Sequence, residues 1–247
     1  MGCERAAVPA ATARMTSPAR LKVRIRSRLP GPLRRWYWRW VETRWRRRSR
    51  QAVFSEIYRG HFWGGGMNPS GGGSSLASTR AIRAALPHLV SELGVSSVLD
   101  VACGTFVWQS HLELPVEMIG GDIVPEIVAR LQDRFGNERR RFVHLDVTSD
   151  ALPRVDMILC RDCLVHLDLE AARRALDNML DAGARYLVLT TFPAVERNSE
   201  IVSGFFRTLN MCLPPFDLPT PLRLVREDYP EKCLGVWDVR DVSADRR

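Results

Sequence analysis

Two groups of residues in this chain have the types and spacing to do chemistry. The first is a pair of carboxylates on short apolar runs. Ser97-Val98-Leu99-Asp100-Val101 suits a pleated, buried surface and breaks into Ala102-Cys103-Gly104, whose small side chains let a ligand approach the backbone. Glu117-Met118-Ile119-Gly120-Gly121-Asp122 is the next such run, with its acid 22 residues after Asp100. In an open parallel sheet, ligands bind beyond the carboxyl ends of the strands, and an acid there accepts both hydroxyl hydrogens of a ribose. A dinucleotide fingerprint needs G-x-G-x-x-G, and here those positions are Ala102, Gly104 and Val107, so a pyrophosphate cradle is poorly supported. The second group is Asp162 and His166 in Arg161-Asp162-Cys163-Leu164-Val165-His166-Leu167. An imidazole near neutrality can take a proton from a hydroxyl nucleophile, or His166 can simply pack ahead of the helix that starts near Asp168.

These groups need elements to hold them. Downstream of Gly104 the chain alternates apolar strands with helical periodicity, the pattern of a parallel sheet covered on both faces. Expected strands are 97–101, 117–122, 141–146, 155–160 and 186–192, with helices at 125–135 and 169–180, the second ended by Gly183. Arg207–Cys212 and Cys233–Val239 read as a sixth and a seventh strand. Leu213–Lys232 between them holds five prolines and reads as a long loop in which Pro215 and Phe216 wall a pocket. Ahead of the first strand, Ile82, Leu86, Leu89, Val90 and Leu93 mark a helix with a kink expected at Pro87 and a stop at Gly94. Trp63 to Ser75 contains six glycines, and we read it as a lid rather than a plain linker, because a tryptophan is costly on a linker.

The strand-end acid and small-residue turn, Asp100 to Phe106, resemble motif I (D-x-G-x-G-x-G) of the class I S-adenosylmethionine-dependent methyltransferases, with Ala102 and Phe106 in place of its first and third glycines. The succession Arg161 to Leu167, Tyr186 to Phe192, Asn198, Gly204, Asn210 and Pro215-Phe216, with Trp63 and Ser70 to Ser74 upstream, is similar to one uncharacterised branch of that class and covers Trp63 to Val239. The resemblance implies a doubly wound, mostly parallel seven-stranded α/β sheet of Rossmann-like type. It further implies S-adenosylmethionine as cofactor, held by Asp100, Ala102, Gly104, Asp122, Ile123, Asp146, Val147, Arg161, Trp63 and Ser74. Asp146 would meet the adenine amino group. The loop after the fourth strand would lie beside the transferred methyl, making His166 and Asp162 the catalytic candidates. Leu213-Pro214-Pro215-Phe216 mimics the D/N-P-P-Y/F box of nucleobase amino-methyltransferases, but it follows the wrong strand and begins with Leu, so we read it as structural.

The organisation expected is a basic extension over 1–50, a glycine-rich lid with its leading helix over 51–94, and the catalytic domain over 95–242. Charge divides accordingly. Residues 1–50 carry 15 basic and 2 acidic groups, a net of +13, and the remainder carries 21 and 26, a net of −5. The pI of about 9.7 therefore says nothing about the folded part's ligand. Residues 1–32 read as disordered, and Met1-Gly2-Cys3 as a failed myristoylation site because Ala6 stands where Ser or Thr is wanted. An organelle transit peptide is the minor alternative. Leu33, Trp36, Tyr37, Trp40 and Val41 share one helix face amid arginines, suited to a membrane surface or nucleic acid, or to docking on the protein itself. Six scattered cysteines with a single C-x-x-C (Cys160, Cys163) imply reduced thiols and no metal. No apolar run is of bilayer length, so a cytoplasmic protein, peripheral at a membrane at most, is expected. The leading expectation is methyl transfer to a small-molecule oxygen or nitrogen. Its rivals are an RNA or protein methyltransferase gripping its polymer with the basic extension, and a non-catalytic cofactor-binding module.

Overall fold

A run such as Tyr186-Leu187-Val188-Leu189-Thr190-Thr191, apolar and β-branched along its whole length, can be satisfied only where both faces of a sheet are covered. In the structure, a computed structural model that describes residues 30–63 and 68–245 with side chains to 242, it is the fully buried strand β5. The other strands are β1 (Ser97–Val101), β2 (Glu117–Asp122), β3 (Arg140–His144), β4 (Met157–Cys160), β6 (Arg223–Arg226) and β7 (Cys233–Asp238). Their order is β3-β2-β1-β4-β5-β7-β6. β1 to β5 are parallel, and β7 runs antiparallel between β5 and β6. The doubly wound seven-stranded architecture expected from the sequence is present.

Alternation along the central strands sends side chains to two different layers. Leu99, Ile158 and Leu187 face α5 (Leu169–Asp181), while Val98, Leu159 and Val188 face α3 (Arg80–Glu92). α5 is capped by Asp168, whose carboxylate accepts the Ala171 amide, and it presents Ala172, Ala175, Leu176 and Met179 as a wholly buried stripe. Its small alanines let the helix approach the sheet, and Leu176 fills the contact. α3 runs through Pro87 as one helix and ends where Gly94, at φ +62°, lets the Val95 and Gly94 amides reach back to Val90 and Ser91.

Two further helices precede the sheet, α1 (Gly31–Arg46) and α2 (Arg50–Arg59), the latter capped by Ser49, and α4 (Pro125–Phe135) joins β2 to β3. The aromatic face expected on α1 divides. Val41 and Trp45 turn inward onto Val53, Ile57 and Val202, while Leu33, Trp36 and Trp40 stay exposed. The helix begins at Gly31, two residues inside the stretch read as disordered. The rest of that stretch, its amino-terminal lipidation motif and the glycines at 64–66 lie outside the described residues. No described helix is long and apolar enough to cross a membrane.

Two expectations need correction. Arg207–Cys212 is not a strand; Leu209 and Met211 are fully buried, but the backbone is held by irregular bonds, Asn210 N–H to the Asn198 side chain and Met211 N–H to the Thr191 hydroxyl. The sixth strand instead lies inside the proline-rich segment, at the sheet edge, where Arg223–Arg226 needs no buried face and so shows no apolar run. Phe216 does not wall a pocket either, because it sits in the main core. α6 (Val239–Asp245) closes the chain.

Removing the side chain that fills the α5–sheet contact tests this packing. Leu176→Ala should cost about 2–5 kcal/mol, read as a fall in the midpoint of urea or thermal unfolding.

Candidate active site

The carboxyl ends of β1, β2 and β4 open on one cleft of about 480 Å³, and all twelve residues singled out from the sequence line it. Register explains why the two strand-borne acids meet. β1 and β2 pair Asp100 with Gly120 and Val101 with Gly121, so Asp122 projects just beyond the turn that follows β1. Gly120 is bare for a packing reason: a Cβ there would lie 2.6 Å from the Phe142 ring.

The turn itself keeps the backbone that glycines would give it. Ala102, Gly104 and Phe106 all hold left-handed conformations, at φ +57°, +60° and +58°. Two of the three carry a Cβ, which costs roughly 1–2 kcal/mol each. Phe106 offsets its strain by full burial against Phe142 and Phe135. Ala102 is exposed and has no such compensation. The turn is closed from above by the segment read as a lid. The Thr105 amide donates to Ser70 Oγ, and Thr105 Oγ1 donates to Asn68 Oδ1. A Cβ on Gly104 would stand 2.7 Å from Ser70 Oγ, so only glycine lets the lid seat.

Asp100 and Asp122 are buried. Asp100 accepts from Gln109 Nε2 at 2.8 Å; burial pushes its pKa up to about 7, with Gln109 and Arg161 pulling down and Asp122 adding to the rise. Asp122 accepts the Val124 and Gly104 amides, and burial still raises it to about 6. Asp146 lies just past the end of β3. Its carboxylate accepts from Thr148 and from Arg50 of α2, which offset burial and hold its pKa low. Ile123 and Val147, neighbours of Asp122 and Asp146 in the chain, line the cleft with them, and Ser74 lines it from the glycine turn.

At the other end stands a four-charge cluster. Arg161, following β4, donates through Nε and Nη2 to Glu227 and through Nη2 to the Gly73 carbonyl at 2.8 Å. Lys232 Nζ lies 2.5 Å from Asp162 Oδ2 and 3.2 Å from Glu227 Oε2. Burial raises the Asp162 pKa, but Arg161 and Lys232 more than offset that and keep it low. His166 donates from Nδ1 to the Phe205 carbonyl at 2.8 Å, since a carbonyl can only accept, and this leaves Nε2 as an acceptor. Burial holds its pKa below the usual histidine value. Trp63 stacks on the His166 ring at 4.2 Å and donates from its indole N–H to the Gly204 carbonyl.

Sequence reasoning missed the helix wall of the cleft (Arg50, Phe54, Ile57 and Tyr58 of α2) and the rim residues Phe206, Tyr229 and Lys232. The apolar spacing at Phe54, Ile57 and Tyr58 carried a signal for the wall. Nothing local marked the rim, which comes from irregular loops.

A seven-stranded sheet with acids at the carboxyl ends of β1 and β2 and a left-handed turn after β1 defines a Rossmann-like fold. Residues 98–183 match the family model described as a methyltransferase domain. Over those residues the chain is similar to the class I methyltransferases. It is 29% identical over 118 residues to an uncharacterised methyltransferase of Mycobacterium tuberculosis, matching 46% of this chain and 60% of the relative. An uncharacterised methyltransferase of Mycobacterium bovis gives the same figures. The chain thus spans about 60% of the length of the curated relatives it matches. Two solved structures share the fold. The Burkholderia thailandensis 1,6-didemethyltoxoflavin-N1-methyltransferase has a TM-score of 0.53 at 21% identity, over 75% of this chain and 85% of that one. The N-methyltransferase NodS from Bradyrhizobium japonicum has 0.50 at 20%, over 64% and 86%.

Two outcomes check the geometry. Ala102→Gly should raise stability by up to about 1 kcal/mol, because it relieves a left-handed alanine that buries nothing. Asp100 binds its proton more tightly folded than unfolded, so between pH 4 and pH 7 the native state holds the extra proton and stability falls as pH rises. Asp100→Asn should flatten that fall in melting temperature across the same window, measured on protein free of small molecules.

Proposed function

We propose that the chain transfers a methyl group from S-adenosylmethionine to an oxygen or nitrogen of a small molecule. The observation that carries this is the pair Asp100 and Asp122 flanking a left-handed turn with no side chain at Gly104. The fit is supported by the cleft lining, where the short side chain of Ala102 and the bare Gly104 stand beside the two acids. It is supported also by two carboxylates whose pKa values burial raises, a cost that a cationic, hydroxyl-bearing ligand would offset.

When bound, the cofactor supplies an electrophilic methyl on a positively charged sulfur. The rest is this chain's work. Asp122 accepts the two ribose hydroxyls, and Asp100 balances the ammonium of the methionine arm. Asp146, steadied by Arg50 and Thr148, closes the adenine end, with Ile123 and Val147 against the base. Arg161 and Ser74 hold the glycine turn down over the methionine end, and the α2 wall with Trp63 excludes water. His166 takes a proton at Nε2 from a hydroxyl acceptor, which adds about 10²–10⁴-fold. Orientation of two reactants in a closed cleft supplies the larger part, roughly 7–11 kcal/mol. Asp162, already ionised and paired, positions the acceptor rather than accepting its proton. A cleft walled by α2 and closed by the 68–75 segment favours a small acceptor over a polymer.

Calorimetry with S-adenosylmethionine and S-adenosylhomocysteine tests the reading; saturable binding of either is expected, and no binding of both overturns it. Asp122→Ala should weaken binding at least tenfold, since hydrogen bonds to a charged acceptor are worth about 1.5–3 kcal/mol.

A further inference from the structure

The acceptor end of the cleft is unusual in what it leaves open. Asp162 is ionised, and its side chain is still 22% exposed, while the cations around it are buried and turned toward acids. Arg161 spends its donors on Glu227, the Gly73 carbonyl and Asp162; Lys232 reaches Asp162 and Glu227. Four residues further along the same loop, His166 has used its one N–H on Phe205 and presents a lone pair. Asp162 and His166 feel each other's charge and line the same cavity. This end therefore offers two hydrogen-bond acceptors lining one cavity, and a ligand that meets both must bring two donors. Among the described residues, the two cations against Asp162 are already shared with Glu227, so a carboxylate or phosphate there would add negative charge beside Asp162.

The walls are rings. Trp63 lies over His166, Phe206 meets the same imidazole at 5.6 Å, and Tyr229 stands edge-on to Phe192 at 6.4 Å. Phe206 and Tyr229 are about half exposed at the rim, an unfavourable place for large apolar groups unless something stacks there.

We propose that the methyl acceptor is an uncharged ring bearing two adjacent hydroxyls, one donating to Asp162 and its neighbour to Nε2 of His166. The inference rests on the cofactor reading above. As the second hydroxyl's proton passes to Nε2, its oxygen bonds to the methyl carbon. The carbon–sulfur electron pair stays on sulfur, which becomes neutral, and the positive charge moves to the imidazolium. Asp162 keeps its charge and fixes which oxygen faces the methyl. Flat aromatic rings and the C–H face of a sugar both stack on such walls, and the two sources separate experimentally.

The test titrates the full chain, loaded with S-adenosylhomocysteine, by saturation-transfer NMR with catechol and with methyl α-mannopyranoside. Guaiacol, benzoate and benzylamine serve as comparison ligands. One of the diols should bind at least tenfold more tightly than all three. Asp162→Asn should weaken that diol at least tenfold while the S-adenosylhomocysteine dissociation constant stays within twofold. Phe206→Ala, at the exposed rim and outside the charge cluster, should weaken it several-fold even if the first variant fails to fold. Tighter binding of benzoate or benzylamine than of either diol overturns the proposal. So does absence of diol binding with nucleoside binding intact, or undiminished diol affinity in folded Asp162→Asn. Failure of the wild-type chain to bind S-adenosylhomocysteine brings down the cofactor reading itself, and the inference with it.

Discussion

The cluster of Arg161, Asp162, Glu227 and Lys232 ties together three segments far apart in the sequence. Arg161 and Asp162 follow β4, Glu227 and Lys232 lie on the β6–β7 hairpin, and the Gly73 carbonyl belongs to the turn over the cleft. Taking Arg161, Glu227 and Lys232 out of water is expensive, and geometry this complete is needed to offset it. A Cβ on Gly73 would stand 3.2 Å from Asp162, so the turn packs directly onto the cluster. The acceptor end of the cleft owes its shape to this one electrostatic junction, and Asp162 owes its ionisation to it.

A second junction, made of aromatic rings, holds the amino-terminal helices to the same site. Trp45 packs on Phe62 and Phe205, and Trp38 meets both rings edge-on. Gly204 permits this closeness, because any side chain there would strike Trp45 at 2.7 Å. Phe205 supplies the carbonyl that fixes the His166 tautomer, and Gly204 the carbonyl that holds Trp63 over it. A helix that looks in the sequence like the end of a basic extension thereby helps set the protonation geometry of a residue more than 100 positions later. Domain boundaries drawn on composition alone separate what packing joins.

The two ends of the cleft carry opposite electrostatic solutions. Asp100 and Asp122 are buried with neutral donors and stay short of positive charge, which suits a cationic ligand. Asp162 is partly exposed and already matched by Arg161 and Lys232, which suits a neutral one. One sheet edge can host both because the turn after β1 and the loop after β4 are adjacent through the pairing of those strands.

How much of this was legible depends on range. Strand alternation, the α5 stripe, the strand-end acids and the small-residue turn are local patterns, set by period, propensity and spacing, and the sequence by itself determined them. That Ala102 and Phe106 keep a glycine's backbone was decided by tertiary contacts, since Phe106 accepts the strain only with its ring in the core. The sixth strand was invisible because an edge strand needs no apolar face, and Arg207–Cys212 looked like a strand because burial, without pairing, leaves the same apolar trace. The docking of α2 on the cleft, the rim of Phe206 and Tyr229, and the partners of Asp162 all arise between segments far apart in the chain. Such contacts leave no periodic mark in either segment, and only the folded arrangement fixes them.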